Sequence, residues 1–210
     1  SDVARAQEVL GEVGETFFDE TLGRFTFRVS MASFFQTNTR SAERLYQVTR
    51  EALELTGRER LLDAYCGIGT LTLPLAKRVW QAIGLEVQSE SVEQAKLNAT
   101  LNGIENVSFQ TGAVEDLLPR MAIAADHNSE ESVPDIVLLD PPRKGCDPAV
   151  INALLHSTPN RIVYVSCNPS TLARDLKLLC QARYRLTRVQ PADFFPQTPH
   201  VECAAFLSAC

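Results

Sequence analysis

The feature that most constrains the fold is the alternation of short apolar runs with longer segments of helical periodicity. Four of these runs lead directly into a polar residue, namely Asp63, Glu86, Asp140 and Ser166. Runs without polar interruption are typical of strands buried on both faces of a parallel sheet. Strands that alternate with helices predict an α/β fold whose ligands bind at the carboxyl ends of the strands.

The remaining segments complete this pattern. Amphipathic helices are predicted over residues 39–56, 70–78, 89–102, 113–120, 148–157 and 170–182, with Gly57 and Gly103 as C-terminal stops. Further strands are predicted over residues 24–29 and 107–110, and an antiparallel hairpin is predicted from residues 184–190 and 203–207. Residues 125–134 lack an apolar period and predict an exposed loop in which His127 is solvated.

Composition limits the class of protein. A chain of 210 residues, 45% of them hydrophobic, predicts one main globular domain. It has neither a run of about 20 apolar residues nor a signal-peptide pattern at its start, so we expect a cytoplasmic protein. The six cysteines include no C-x-x-C pair, which argues against a metal site or a disulfide framework. The net charge of −6 requires that any affinity for nucleic acid come from local basic patches.

The turn that follows the first buried run is of the nucleotide-binding type. Gly67 and Gly69 allow a tight bend and close approach of the backbone to a ligand. Thr72 stands where the dinucleotide fingerprint has its third glycine, which argues against a bound pyrophosphate. Glu86, at the tip of the next strand, is suited to accept hydrogen bonds from ribose hydroxyls. A ribose without an adjacent pyrophosphate suggests S-adenosylmethionine.

Two further segments carry polar or aromatic residues suited to a ligand. Phe34 and Phe35 precede Gln36, so this loop either stacks a base whose polar edge Gln36 reads or simply fills the core. In D-P-P-R-K-G, two prolines stiffen the turn after Asp140. Arg143 stands where adenine amino-methyltransferases carry a stacking aromatic residue, which favours a ring carbon as the methyl acceptor. Arg143 and Lys144 are read either as phosphate contacts or as solvated surface charges.

Cys167 lies at the carboxyl end of a buried strand, in R-I-V-Y-V-S-C-N-P. A thiol at that end of the sheet is well placed for reaction, although an arbitrary cysteine more often packs as a small hydrophobe. The later segment F-P-Q-T-P-H-V-E ends in His200 and Glu202 just before a strand. Either residue is a possible base for a nucleophile at Cys167.

Five motifs in this order resemble the RNA uracil-5-methyltransferase family, which acts on transfer and ribosomal RNA. They are F-F-Q-T-N, D-A-Y-C-G-I-G-T, D-P-P-R-K-G, V-S-C-N-P and F-P-Q-T-P-H-V-E. The resemblance implies a Rossmann-like S-adenosylmethionine-dependent methyltransferase fold, with a mostly parallel seven-stranded sheet and an antiparallel final strand. It implies cofactor contacts at Gln36, Tyr65, Thr70, Glu86 and Asp140. It also makes Cys167 the nucleophile and Glu202 the base, and it implies no metal.

The same resemblance predicts a domain organisation and a partner. Residues 30–210 are expected to form the catalytic domain, and residues 1–29 are expected to be the tail of a preceding central region. An RNA-binding β-barrel is expected to precede them in the full-length protein, which would act on structured RNA, either rRNA or tRNA. Two alternatives stand beside this hypothesis: a cytosine-5 RNA methyltransferase with the same thiol chemistry, and a non-catalytic adenosyl-binding module.

Overall fold

The computed structural model describes residues 14–31, 33–36, 38–127 and 134–210. Its strands are β1 (Phe17–Leu22), β2 (Phe25–Ser30), β3 (Arg60–Asp63), β4 (Gln81–Glu86), β5 (Val107–Thr111), β6 (Ile136–Leu139), β7 (Arg161–Ser166), β8 (Tyr184–Ala192) and β9 (Glu202–Ala209). Its helices are α1 (Thr39–Leu53), α2 (Thr72–Ala76), α3 (Ser89–Leu101), α4 (Val114–His127), α5 (Pro148–Ser157) and α6 (Pro169–Ala182). Among these helices, none combines the length and the apolar character that a membrane span requires.

Seven strands form one sheet in the order β5-β4-β3-β6-β7-β9-β8. The pairs from β5 through β7 are parallel, whereas β9 runs antiparallel to both β7 and β8. The predicted mostly parallel sheet with an antiparallel final strand is therefore confirmed. Successive residues of the central strands alternate between two apolar layers: Leu61 packs into one and Leu62 into the other. This two-sided burial explains why the strands are apolar without interruption.

The helices divide between the two faces of the sheet. Helices α1, α2 and α3 contribute buried residues to the layer that contains Leu61, and helices α4, α5 and α6 contribute to the layer that contains Leu62. The order of the strands reverses between β3 and β6: β4 and β5 lie on one side of β3, and the chain then crosses to β6 on its other side. Such a reversal of strand order opens a crevice at the carboxyl ends of the strands. Asp63 and Asp140 end the two strands that flank this crevice.

The hairpin of β1 and β2 lies outside the main sheet but packs against it. Phe27 is fully buried in the same apolar layer as α1. Asn98 of α3 and Asn102, which caps the end of α3, pair with the backbone of β2: Asn98 Oδ1 accepts from Arg28 N at 2.8 Å, and Asn102 Oδ1 accepts from Thr26 N at 3.0 Å. Their amide groups donate in return to the carbonyl oxygens of Arg28 and Thr26. The hairpin is thus held by a helix, and the predicted domain boundary at residue 29 stays a prediction.

Three of the predicted helices had wrong boundaries. Helix α1 ends at Leu53 because Glu54 takes a left-handed conformation with φ of 43°, three residues before the predicted stop at Gly57. Helix α2 covers only Thr72–Ala76 instead of residues 70–78, because the glycine turn extends further. Helix α4 continues to His127 instead of ending near residue 120. Residues 125–127 therefore belong to helix α4 and not to the predicted loop, while residues 128–133 and the side chain of His127 lie outside the described residues.

Candidate active site

The glycine turn after β3 forms the floor of the crevice. Gly67 and Gly69 have φ angles of +53° and +90°, in the left-handed region that favours glycine. A Cβ atom on Gly69 would lie 3.0 Å from the Leu73 side chain, whereas a Cβ atom on Gly67 would project into open space. No neighbouring atom fills the place where a side chain of residue 67 would stand, so the backbone there can approach a ligand closely.

Two acidic residues hold this turn in place. The buried Asp63 accepts a hydrogen bond from Thr72 Oγ1 at 2.6 Å and one from the backbone N of Tyr65 at 3.4 Å. Burial raises the pKa of the Asp63 carboxyl to about 6, against the lowering effect of these donors. Glu86 accepts from the backbone N of Gly67 at 3.2 Å and of Gln88 at 2.9 Å. Both carboxyls therefore anchor the turn.

A cavity opens above the turn, between it and the N-terminal end of α1. Among the side chains that line it are four of the five predicted cofactor contacts, Gln36, Tyr65, Thr70 and Asp140. The fifth, Glu86, reaches its edge through the hydrogen bond to Gly67. The predicted cofactor residues therefore converge on one site.

The aromatic wall of the cavity resolves the two readings of Phe34 and Phe35. Phe35 packs on the buried Phe27, with ring centroids 6.1 Å apart, so that it contributes to the core. Phe34 also lines the cavity but is 66% exposed. Its free face is open to a flat ligand. Phe194 completes the wall from the loop before β9 and is buried.

The two loops that carry these aromatic residues are fastened to each other. Asn38 caps helix α1, and its Nδ2 donates to the carbonyl oxygen of Phe194 at 3.3 Å. Ser41 Oγ donates to the carbonyl oxygen of Asp193 at 2.7 Å. The segment before α1 and the loop before β9, which are about 150 residues apart in sequence, therefore hold each other in place.

Cys167 follows β7 and is half-buried. Its neighbours hold it tightly, because Asn168 caps helix α6 by accepting from the backbone N of Ser170, and its own backbone N donates to Ser166 Oγ at 3.1 Å. Burial raises the pKa of the Cys167 thiol, and the charge of Glu202 raises it further. A hydrogen bond from the Arg143 side chain opposes both effects.

Glu202 is brought to Cys167 by the antiparallel pairing of β7 with β9. In this register Ser166, the last residue of β7, lies opposite Cys203, so Cys167, which follows β7, comes next to Glu202, the first residue of β9. The Glu202 side chain is buried, and this burial raises the pKa of its carboxyl, while the charge of Arg143 lowers it. His200, the alternative base, is exposed, and its ring stands edge-on to Phe195 with centroids 6.2 Å apart.

Asp140 lies between the cavity and this pair. Burial raises the pKa of its carboxyl to about 8, with further contributions from the charges of Glu202 and Asp63. A carboxyl with such a pKa is mostly protonated at neutral pH. It would ionise when a cation enters the cavity, because an adjacent positive charge favours the carboxylate.

The loop after Asp140 is fixed by helix α6. The carbonyl oxygen of Arg143 accepts from Asn168 Nδ2 at 3.1 Å and from Thr171 Oγ1 at 3.2 Å. The Arg143 side chain is exposed, as its reading as a surface charge expects. It also lowers the pKa of the Cys167 thiol and of the Glu202 carboxyl, an influence that no local pattern indicates.

Sequence reasoning also missed a buried polar network under this loop. Asp175 is 1% exposed and accepts from Tyr164 Oη at 2.6 Å and from the backbone N of Cys146 at 2.9 Å. A signal was present, because Asp175 stands at helical spacing between the inward-facing Leu172 and Leu179. An acid on the buried stripe of a helix indicates a polar partner inside the protein.

The fold and the site together define a class. A doubly wound sheet with an antiparallel last strand, a glycine turn after its first parallel strand and acids at the following strand ends is typical of Rossmann-like methyltransferases that use S-adenosylmethionine. The model of the family described as tRNA (Uracil-5-)-methyltransferase matches residues 3–210. The chain therefore belongs to this family.

Relatives and solved structures agree with this assignment. A protein of Nostoc sp. (strain PCC 7120), named an uncharacterized RNA methyltransferase, is 59% identical over 92% of this chain and 40% of its own length. A similarly named protein of Gloeobacter violaceus is 50% identical over 92% of this chain and 40% of its own length. The chain thus spans about two fifths of the curated relatives it matches.

Two crystal structures show how far the likeness extends. Pyrococcus abyssi tRNA (uracil-54, C5)-methyltransferase, in complex with S-adenosyl-L-homocysteine, is 32% identical, with a TM-score of 0.78 over 97% of this chain and 48% of that chain. The M. jannaschii tRNA m1G37 methyltransferase is 12% identical, with a TM-score of 0.67 over 96% of this chain and 59% of that one. At that identity the second likeness shows the fold alone.

Proposed function

We propose that the protein transfers a methyl group from S-adenosylmethionine to carbon 5 of a uridine in structured RNA, either tRNA or rRNA. The observation that carries this proposal is the register of β7 and β9, which sets Glu202 beside Cys167 at the edge of the sheet where the cavity opens. Membership of the tRNA (Uracil-5-)-methyltransferase family supports the choice of uracil.

The cavity suits S-adenosylmethionine in shape and charge. Phe34 and its aromatic neighbours offer faces for the adenine ring, and Glu86 at the edge can accept from ribose hydroxyls. Asp140 supplies a carboxyl whose raised pKa would fall toward its ordinary value beside the positive charge of the cofactor. When bound, the cofactor supplies an electrophilic methyl group.

Carbon 5 of uracil is too weak a nucleophile to accept a methyl group directly. The thiolate of Cys167 adds to carbon 6, and the electron pair of the 5,6 double bond moves to the carbonyl oxygen at carbon 4 to give an enolate. Carbon 5 of this enolate would accept the methyl group as its bond to the sulfonium sulfur breaks, with S-adenosyl-L-homocysteine as the leaving group. We propose that Asp140 or Gln36 anchors the base during this step, since both line the cavity.

Release of the product requires a base. The Glu202 carboxylate takes the proton from carbon 5, the electron pair reforms the 5,6 double bond, and the bond from carbon 6 to sulfur breaks to return the Cys167 thiolate. The raised pKa of Glu202 makes it a stronger base than an exposed carboxylate. Its burial beside Cys167 supports this role over the exposed His200.

The RNA-binding affinity of this chain is expected to be weak. The net charge is −6, and the chain spans about two fifths of its relatives, so we propose that a preceding RNA-binding barrel supplies most of the affinity in the full-length protein. Binding of the same RNA to this chain and to the full-length protein tests the proposal. Equal affinities would contradict it.

The decisive experiment separates the addition of the Cys167 thiolate to carbon 6 from its later release. With Glu202→Gln, S-adenosylmethionine and substrate RNA, the thiol still adds and the methyl group still transfers, but the proton on carbon 5 stays. We expect a slowly migrating protein–RNA adduct on a denaturing gel. The double variant Cys167→Ala, Glu202→Gln should give none, because the nucleophile is absent.

Each alternative predicts a different result. If His200 were the base, the adduct would accumulate in His200→Ala while Glu202→Gln turned over normally. A cytosine-5 methyltransferase would form its adduct with RNA that carries cytidine at the target position. A non-catalytic module would bind S-adenosylmethionine without consuming it over any RNA tested.

A further inference from the structure

The backbone of Arg143 is held in one place at the start of helix α6. Asn168 and Thr171 donate to its carbonyl oxygen from the first turn of α6. Asn168 directly follows Cys167, and therefore the same cap that orients the thiol also fixes the loop that carries Arg143. The guanidinium and the sulfur are positioned by one local structure.

The surroundings of Cys167 are strongly acidic. Glu202 and Asp140 both act against ionisation of the thiol, as does its burial. The Arg143 side chain donates a hydrogen bond to the sulfur, and its positive charge favours the thiolate. The same charge acts on the Glu202 carboxyl. Arg143 therefore faces both groups that exchange protons in the proposed cycle.

We propose that Arg143 is a further catalytic residue, whose guanidinium stabilises the Cys167 thiolate both when it attacks carbon 6 and when it leaves. This inference rests on the proposed function, because it assigns a third group to the same reaction. A hydrogen bond to an ionised partner is roughly twice as strong as one between neutral groups, so the contact favours the charged sulfur.

Reactivity of the thiol toward iodoacetamide tests this role without any RNA. The rate at Cys167 is followed from about pH 6 to about pH 10, a range that brackets an ordinary thiol pKa. Peptide mass spectrometry assigns the modified residue, and the exposed Cys180 in the same chain serves as the internal reference. We expect Arg143→Gln to slow alkylation of Cys167 about tenfold near pH 7.5, because the thiolate loses a charge-assisted hydrogen bond.

Three further variants sharpen the result. Lys144→Gln removes an equal charge from the next, exposed residue and should leave the rate at Cys167 unchanged. Arg143→Lys keeps the charge and should restore part of the rate. Glu202→Gln should act in the opposite direction and speed alkylation, since it removes a negative charge that disfavours the thiolate.

The outcomes separate this inference from the proposed function. If Arg143→Gln leaves the Cys167 rate unchanged relative to Cys180 but weakens RNA binding, Arg143 is a phosphate contact and the inference is wrong. If Lys144→Gln slows Cys167 equally, only general surface charge acts, and the inference is again wrong. Neither result would alter the adduct expected with Glu202→Gln, which tests the reaction itself.

Discussion

The acidic residues have different surroundings on the two sides of the site, the side of the glycine turn and the side of Cys167. On the turn side, Asp63 and Glu86 accept hydrogen bonds from the backbone and from Thr72, and so they shape the glycine turn. On the reacting side, burial raises the pKa of Asp140 to about 8, with further contributions from the charges of Glu202 and Asp63. The first side is built for fixed geometry and the second for changes of charge.

This difference suggests a division of labour. A preorganised turn binds a ligand at little cost in conformational entropy. A cluster of acids with raised pKa values lowers its energy when a cation arrives, and its carboxyls can accept protons near neutral pH. Changes on the turn side should therefore affect binding, and changes on the reacting side should affect chemistry and pH dependence.

The largest expected effect is a loss of methylation without a loss of cofactor binding. Cys167→Ala should abolish methylation, because no other group can add to carbon 6, while affinity for S-adenosylmethionine stays within about twofold. Radiolabelled methyl transfer and calorimetry measure the two quantities. Cys180→Ala, which removes an exposed thiol from helix α6, is the matched control and should keep both. Residual turnover in Cys167→Ala would rule out the covalent route.

The next effect concerns the support of the reacting side. Asp175→Ala leaves the Tyr164 hydroxyl without its buried acceptor and removes one of the two acceptors of the backbone N of Cys146, so the free energy of unfolding should fall by about 3 kcal/mol. Urea denaturation measures this loss. Lys177→Ala, on the exposed face of the same helix, should change it by less than about 0.5 kcal/mol. Equal losses would show that any substitution in helix α6 destabilises the protein to this extent and that the network is not responsible.

A smaller effect is expected on the turn side. Glu86→Ala removes the acceptor for Gly67 and for ribose hydroxyls, which should weaken S-adenosylmethionine binding by about 1.5 to 3 kcal/mol. Calorimetry with Glu90→Ala, an exposed acid in the first turn of α3, provides the comparison. Unchanged affinity in a folded Glu86→Ala protein would remove Glu86 from the site.

The smallest expected effect is on the pH dependence of the free energy of unfolding. The Asp140 pKa rises from its ordinary value of 3.8 to about 8 in the folded protein, so between these values the folded state binds a proton that the unfolded chain has released. The contribution of Asp140 to the free energy of unfolding therefore falls as pH rises through this window. Asp140→Asn should make unfolding less dependent on pH between about 6 and 8, as measured by denaturation at each pH. An unchanged slope would show that Asp140 ionises normally.

Much of the fold could be predicted from the sequence, because its signals are local. The run from Ile162 to Val165 before Cys167 and the capped helix at residues 148–157 carry apolar periods and stop residues that act within a few residues of chain. The errors also have local causes: Glu54 adopts a left-handed conformation before Gly57 is reached, and α4 continues past residue 120. The approximate positions of the polar strand ends followed from the same signals.

The pairing of distant segments was decided only by the tertiary structure. Both His200 and Glu202 were possible bases in the sequence, and the β7–β9 register is what buries Glu202 beside Cys167 and leaves His200 exposed. Arg143 is an exposed charge, and only the hydrogen bonds of its loop to Asn168 and Thr171 show that it lies near Cys167. Asn98 reads as an ordinary helix residue until β2 lies against it. The physical reason is that residue type and period determine which local structures form, whereas charges and hydrogen bonds depend on distances that only the folded chain sets.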